Sequence, residues 1–229
     1  MKVLPGTAAI HGPWTHPDDP ATVAEAPPVA GFAESPFVRL VSHVGGTSLD
    51  RDRPPDGSKV ALVLASVAGD VATASRASRA VASGGAPSPL LFYQSVPTAV
   101  LGHLSIRYGL TGPILCLSGG LELVRDALED AGDLLATAQV DRVLLVYVDV
   151  ATDEWYKAAS EQLAATLGEP VLPDVEACVA VQLESGGDEV AAVFEDLADP
   201  VFVALPRPLR DIVRVASSGR IASRTGGSR

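Results

Sequence analysis

Cysteine is nearly absent from this chain: Cys116 and Cys178 are the only two in 229 residues. Both sit in apolar, strand-like runs, so two buried free thiols are expected rather than a disulfide framework. Basic charge is scarce too, with 17 Lys and Arg against 28 Asp and Glu, a net charge of −11. So acidic a body argues against nucleic acid as a partner. The basic residues collect late: from Pro200 onward there are six arginines and one acid, Asp211. There is no apolar run of membrane-spanning length, and no basic segment followed by an apolar stretch opens the chain. These absences give no sign of a membrane or a secretory route and lead to a cytoplasmic expectation. Histidine occurs four times, as His11, His16, His43 and His103. Neither His nor Cys shows the spacing of metal ligands, and no cofactor-binding motif is present.

What is there fits a folded domain. Hydrophobic residues make up 47% and charged residues 20%, enough for one sizeable core and not comfortably for two. Val3–Ile10 can form a first strand, and residues 12–36, rich in Pro, Ala and acid, read as loop. Val60–Ala65 reads as a strand buried on both faces. Asp70 suits the N-cap of a helix running to Ser83 and closed by Gly84-Gly85. Pro97 suits the first turn of the next helix and Gly109 its end. Ile114–Leu117 is a short strand. Val124, Ala127, Leu128, Ala131, Leu134 and Leu135 then recur at helical spacing. Strands at Val143–Val150, Ala177–Leu183 and Val190–Phe194, with a helix from Asp153 to Gly168, complete the pattern. Strands alternating with helices predict an α/β domain whose mixed, largely parallel sheet lies between helices. The domain is drawn as residues 1–199. Residues 200–229 form a basic C-terminal segment, disordered from about residue 217.

Candidate nucleophiles are few. Ser118 and Cys116 lie at a strand end and within a strand, with no partner histidine expected near either. Glu122 belongs to the first turn of a helix, where a negative charge complements the positive end. Gly119-Gly120 matches neither a phosphate loop nor a dinucleotide fingerprint.

The spacing of Ser88-Pro89, Gly102-His103-Leu104, Tyr108-Gly109-Leu110 and Gly112-Pro113 resembles that of the β-ketoacyl synthases of the thiolase-like superfamily, and the likeness runs from about Ala61 to Leu183. In that family a reactive Cys follows the Gly-Pro pair at the mouth of a helix. Nine positions after Gly112 stands Leu121. Asp141 and the apolar strand after it keep the register, twenty positions further on.

The resemblance implies a ketosynthase-like half without its nucleophile, most similar to short, N-terminal-half chain length factors (ketosynthase β subunits) of type II polyketide synthases. It implies a non-catalytic subunit of a heterodimer with a ketosynthase α subunit in a polyene-type pathway. That partner would hold the catalytic Cys and histidines and receive the acyl carrier protein, which this chain meets only indirectly. No cofactor is implied. Ile114, Leu115, Cys116 and Leu117 would form the dimer strand. Leu91, Ser95 and Ala99, on one face if their segment is helical, would line the far end of the partner's acyl tunnel. His103 would be a scaffold residue. Many aromatic-pathway factors keep Gln at the nucleophile position. Leu121 departs from them, so no priming or decarboxylating role carries over. Two other readings are a small acyltransferase or decarboxylase acting alone, which needs a reactive thiol or serine, and a stand-alone acyl-binding protein.

Overall fold

Six apolar residues in a row, Val60–Ala65, form strand β2, and all six are buried. A strand with no polar face has to lie inside a sheet covered on both sides. The computed structural model describes residues 2–3, 26–32, 35–86, 89–151, 154–173, 176–186, 208, 211, 212 and 215. It places β2 between β3 (Ile114–Leu117) and β4 (Arg142–Asp149), parallel to both. Strand β5 (Ala177–Glu184) runs antiparallel to β4, and β1 (Lys2–Val3) antiparallel to β5. The sheet order is β1-β5-β4-β2-β3, which leaves β3 at one edge. The α/β class and the mixed sheet match the sequence expectation. The parallel pairs gather at the β3 side and the antiparallel pairs at the β5 side.

Alternate residues of the inner strands feed two cores. Ala61, Val63, Ala65, Val143, Leu145 and Tyr147 face helix α5 (Leu123–Ala136), which buries Leu123, Val124, Ala127, Leu128, Ala131 and Leu135 against them. Ile212 and Val215 join this core from beyond the boundary drawn at residue 199, and Arg125 lies 3.9 Å from Asp211. Leu62, Leu64, Leu144 and Val146 face the other way, toward α1 (Pro36–Arg51) and α4 (Thr98–Tyr108). Helices α2 (Val71–Ala82) and α3 (Pro89–Gln94) lie between β2 and α4 in the chain, and α6 (Glu154–Leu167) follows β4.

The α1 helix is absent from the sequence reading. Its start is well marked: Ser35 accepts from the Val38 N–H at 3.1 Å, and Pro36 occupies the first turn. The pair Gly45-Gly46 masked the helical period that runs through Phe37, Val38, Leu40, Val41, Val44 and Leu49. Those glycines are where α4 crosses α1. A Cβ on Gly45 would meet Leu104 Cδ1 at 3.1 Å, and one on Gly46 would meet the Tyr108 hydroxyl at 2.9 Å. Gly112 answers a similar need, since a Cβ there would sit 2.1 Å from the Val60 carbonyl oxygen.

Asp70 caps α2, accepting from the Thr73 N–H at 3.0 Å, and Ser35 donates to the same carboxylate at 2.6 Å, tying the starts of α1 and α2 together. Gly109 closes α4 with φ +68°. At the opposite end of the sheet Arg142 donates to Gln182, Glu184 and the Asp52 carbonyl, and Gln182 donates to the Ser48 carbonyl, fastening the last turn of α1 to β4 and β5. The strand placed at Val190–Phe194, the cap at Asp153, most of the strand at Val3–Ile10, most of the loop at 12–36 and the tail from 217 lie outside the described residues.

Candidate functional site

Strand β3 ends in the turn Ser118–Glu122, and α5 starts at Leu123. Leu121, half-buried, stands in this turn two residues before the helix. That is the strand-to-helix mouth where the resemblance places a nucleophile, and an isobutyl side chain has no lone pair to offer an acyl carbon. Neither neighbouring heteroatom is activated. The Ser118 hydroxyl is exposed and donates to the Val67 carbonyl at 3.1 Å. Cys116 was expected to be buried, yet it lies exposed on the open face of β3, because only Leu115 and Leu117 turn toward the α5 core. Desolvation by the surrounding protein still pushes its thiol up to about 11, so thiolate is scarce at neutral pH. Cys178 is fully buried, its thiol raised further, and both cysteines are free, as expected. Glu122 stands 3.4 Å from Arg125, an exposed pair that serves the helix start.

An acid that sequence reading missed supports this turn. Asp149, fully buried at the end of β4, accepts from the Ser66 hydroxyl at 2.9 Å, the Val67 N–H at 3.2 Å and the Ala68 N–H at 2.9 Å. Burial pushes its carboxyl up to about 6 against the pull of these donors. It thereby holds the β2–α2 loop, whose Val67 carbonyl receives Ser118. The available signal was a lone acid closing the apolar run of β4.

The proposed tunnel residues do not share one helical face. Leu91 belongs to α3, Ser95 to the turn after it, and Ala99 to α4. Pro97 disfavours helical geometry at Val96, and the Ser95 hydroxyl closes α3 by donating to the Phe92 carbonyl at 2.7 Å. Leu91 and Ser95 are half-buried, whereas Ala99 packs into the α1–α4 core of its own chain. What α3 and its turn expose instead is apolar: Leu90, Phe92, Tyr93 and Val96 are 56%, 69%, 58% and 41% exposed. The sequence reading missed this cluster, whose signal is the run of bulky residues in Leu90–Tyr93.

Among the described residues, the strand set Ile114–Leu117 lies at an open edge of the sheet. Leu62 and Ser66 of the β2 segment donate to the carbonyls of Pro113 and Leu117, at 2.9 and 3.1 Å. Since pairing groups alternate along a strand, the N–H and C=O of Ile114 and Cys116 point away from β2 to the free edge. His103 sits edge-on to Phe32 with ring centroids 6.0 Å apart, and partial burial together with nearby Arg107 lowers its pKa. Among the described residues no three His, Cys, Asp or Glu side chains form a group that could hold a metal ion.

The chain matches the model of the β-ketoacyl synthase N-terminal domain over residues 11–198. Nothing among curated proteins matches it. It is similar in structure to the complex of the ketosynthase ApeO with its chain length factor ApeC from Xenorhabdus doucetiae. There the TM-score is 0.65 and the identity 19%, covering 82% of this chain and 81% of that one. It is also similar to the ishigamide ketosynthase/chain length factor, with TM-score 0.58 and 19% identity over 72% of this chain and 48% of that one. A third likeness is to AntDE:AntF, a type II polyketide synthase acyl carrier protein in complex with its ketosynthase bound to the hexaketide. Its TM-score is 0.55 at 16% identity, covering 67% of this chain and 44% of that one. The chain therefore spans about half the length of the second and third of these, and at such identities what is shared is the thiolase-like ketosynthase fold.

Proposed function

Since the chain belongs to the β-ketoacyl synthase N-terminal domain family, we propose that it is a chain length factor, the non-catalytic partner of a ketosynthase in type II polyketide biosynthesis. One observation carries this reading: among the described residues β3 is an edge strand, and it leads directly into the turn of Leu121, the residue that the resemblance sets at the nucleophile position. An unpaired edge invites another strand. A ketosynthase partner of the same fold supplies one, and with it the Cys and the histidines that condensation needs. The acyl carrier protein delivers to that partner. The pathway is polyene-type and cytoplasmic. Among the described residues no helix is long and apolar enough to cross a membrane.

The exposed apolar side chains of α3 and its turn support a second part of the role. A short helix carrying Leu90, Phe92, Tyr93 and Val96 in water is costly alone and favourable against a partner. The α3 segment closes the far end of the partner's acyl tunnel, with Leu91 and Ser95 lining it. Ala99 acts behind them by fixing where α4 begins. A small acyltransferase or decarboxylase acting alone is the contrasting reading. It needs an activated Cys or Ser, and the raised Cys116 thiol and the engaged Ser118 hydroxyl do not favour it.

The test is co-expression with a ketosynthase of the same pathway, followed by product analysis. Leu91→Trp is expected to leave the complex assembled and to shorten the longest acyl chain by at least one extension unit, because overpacking a closed pocket costs about 1–3 kcal/mol. An unchanged product-length distribution at an unchanged rate would remove α3 from the tunnel and leave the chain a scaffold.

A further inference from the structure

Helix α2 buries one of its 12 residues, Thr73, and among the described residues its main neighbour is α3. A helix this short is marginal by itself and takes most of its stability from packing. Yet the face of α2 turned away from Thr73 borders an open groove of about 330 Å³. Ala74, Ser75, Ser78, Arg79 and Ala82 line it from α2, and Trp155 from the first turn of α6. Trp155 is 73% exposed, and Val81, which shares a helical face with Ala74 and Ser78, is 56% exposed.

Both walls are fixed. The Asp70 carboxylate accepts from the Thr73 N–H at 3.0 Å and from its hydroxyl at 2.7 Å, which anchors the start of α2. Tyr156 is buried and donates its hydroxyl to the Pro173 carbonyl at 2.8 Å, so its neighbour Trp155 is held outward. A preformed groove loses little freedom when it is filled.

Three features select the occupant. The first is charge. Helix α2 carries Arg76 and Arg79 and no acid, in a chain of net charge −11. The Nε of Arg79 donates to the Ser75 carbonyl at 3.4 Å, which keeps the guanidinium along the rim. Beside Trp155 the charges of Glu154 and Lys157 cancel. The α2 rim therefore favours carboxylates and disfavours cations. The second is shape. Positions 74 to 82 span about 12 Å, a little over two helical turns. An apolar trough of that length suits the apolar stripe of an amphipathic helix. The third is position. Helix α2 packs on α3, whose exposed apolar side chains the chain length factor reading sets against the ketosynthase. The groove continues that surface.

On the basis of the chain length factor reading, we propose that this groove receives an amphipathic helix of the ketosynthase partner. Trp155 and Val81 take its apolar stripe, and Arg79, with Arg76 one turn before it, meets a carboxylate at its edge. The β3 edge offers backbone groups that many strands could pair with. The groove adds side-chain contacts, and with them selectivity among ketosynthases.

The test is competition. Equal amounts of the wild-type chain and a variant meet a limiting, immobilised ketosynthase of the same pathway, and mass spectrometry reads the ratio bound. Trp155→Ala is expected to lose by about tenfold and Arg79→Glu by about tenfold or more. Raising the salt to about 1 M should narrow the Arg79→Glu gap several-fold and leave the Trp155→Ala gap unchanged, because only the first is electrostatic. If Arg79→Glu fails to fold, Trp155→Ala decides alone, since so exposed a side chain can be cut back without disturbing the core. Trp155→Ala binding as well as wild type overturns the groove, as does an Arg79→Glu gap that salt does not move. In either case the wild-type chain still binds the ketosynthase, and the chain length factor reading stands. A wild-type chain that binds no ketosynthase overturns that reading, and the groove with it.

Discussion

Cys116→Pro is expected to abolish co-elution of this chain with the proposed ketosynthase partner, while Cys116→Ser leaves the complex intact. The reason lies in the direction of the backbone rather than in the thiol. Pro113 and Leu117 turn their carbonyls to β2, so the N–H of Cys116 faces the free edge of the sheet. Proline removes that donor without touching a bond to β2, and edge strands tolerate proline within their own sheet. A partner strand would then be left with a buried, unpaired carbonyl and a ring in its path. Together these cost about 3 kcal/mol, on the order of 100-fold in affinity. Ile114, 40% exposed, gives a side-chain version of the test, since Ile114→Asp buries a charge in the same interface. Leu115→Asp is less clean, because Leu115 packs against the α5 core and its replacement also strains the chain's own fold. Size-exclusion chromatography of co-expressed pairs reads all of these. A Cys116→Pro chain that still co-elutes with the ketosynthase would mean that β3 is not the joining strand.

The second large effect is on stability against pH. In the folded chain Asp149 holds its proton up to about pH 6, whereas an ordinary aspartate releases it near 3.8. Folding therefore takes up a proton between these values. The contribution is complete below about pH 4 and is lost as pH rises through about 6. At one pKa unit per 1.36 kcal/mol, the loss amounts to as much as about 3 kcal/mol. Asp149→Asn cannot titrate, so its stability relative to the parent chain should rise by up to that amount between pH 4 and pH 7. Urea unfolding of both proteins across this range measures the difference. A gap that stays constant, or shrinks as pH rises, would show that the three donors around Asp149 outweigh its burial and keep it ionised throughout.

How far the sequence disclosed the fold depended on whether a local signal was clean. Val60–Ala65 and the β4 run needed only continuous burial to be legible. Helix α5 carried an unbroken helical period, and Asp70, Pro97 and Gly109 marked helix ends through capping chemistry that is local by nature. Helix α1 was lost because its best evidence, a helical apolar stripe, is interrupted by Gly45-Gly46. The reason for those glycines is the passage of α4, a contact between residues about sixty positions apart. The tunnel residues failed in the opposite direction. The spacing of 91, 95 and 99 suggested one face, but Pro97 breaks the segment and sends Ala99 into its own core. Asp149 was passed over, although as a lone acid it closes the apolar run of β4, because its role rests on a loop that strand pairing brings from residues 66–68. That Leu121 stands in the turn between β3 and α5 was legible from spacing, since a short strand-to-helix turn leaves little freedom in where its residues stand; its equivalence to the family's nucleophile belongs to the proposal.

The central claim is that this chain joins a ketosynthase and contributes no nucleophile. Intact-mass spectrometry tests it most directly: the co-purified complex is exposed to an acyl carrier thioester, and the mass of each subunit is then read. The account predicts two chains recovered together, with the acyl adduct on the ketosynthase alone and this chain at its unmodified mass. An adduct on this chain, at Ser118 or Cys116, would contradict it.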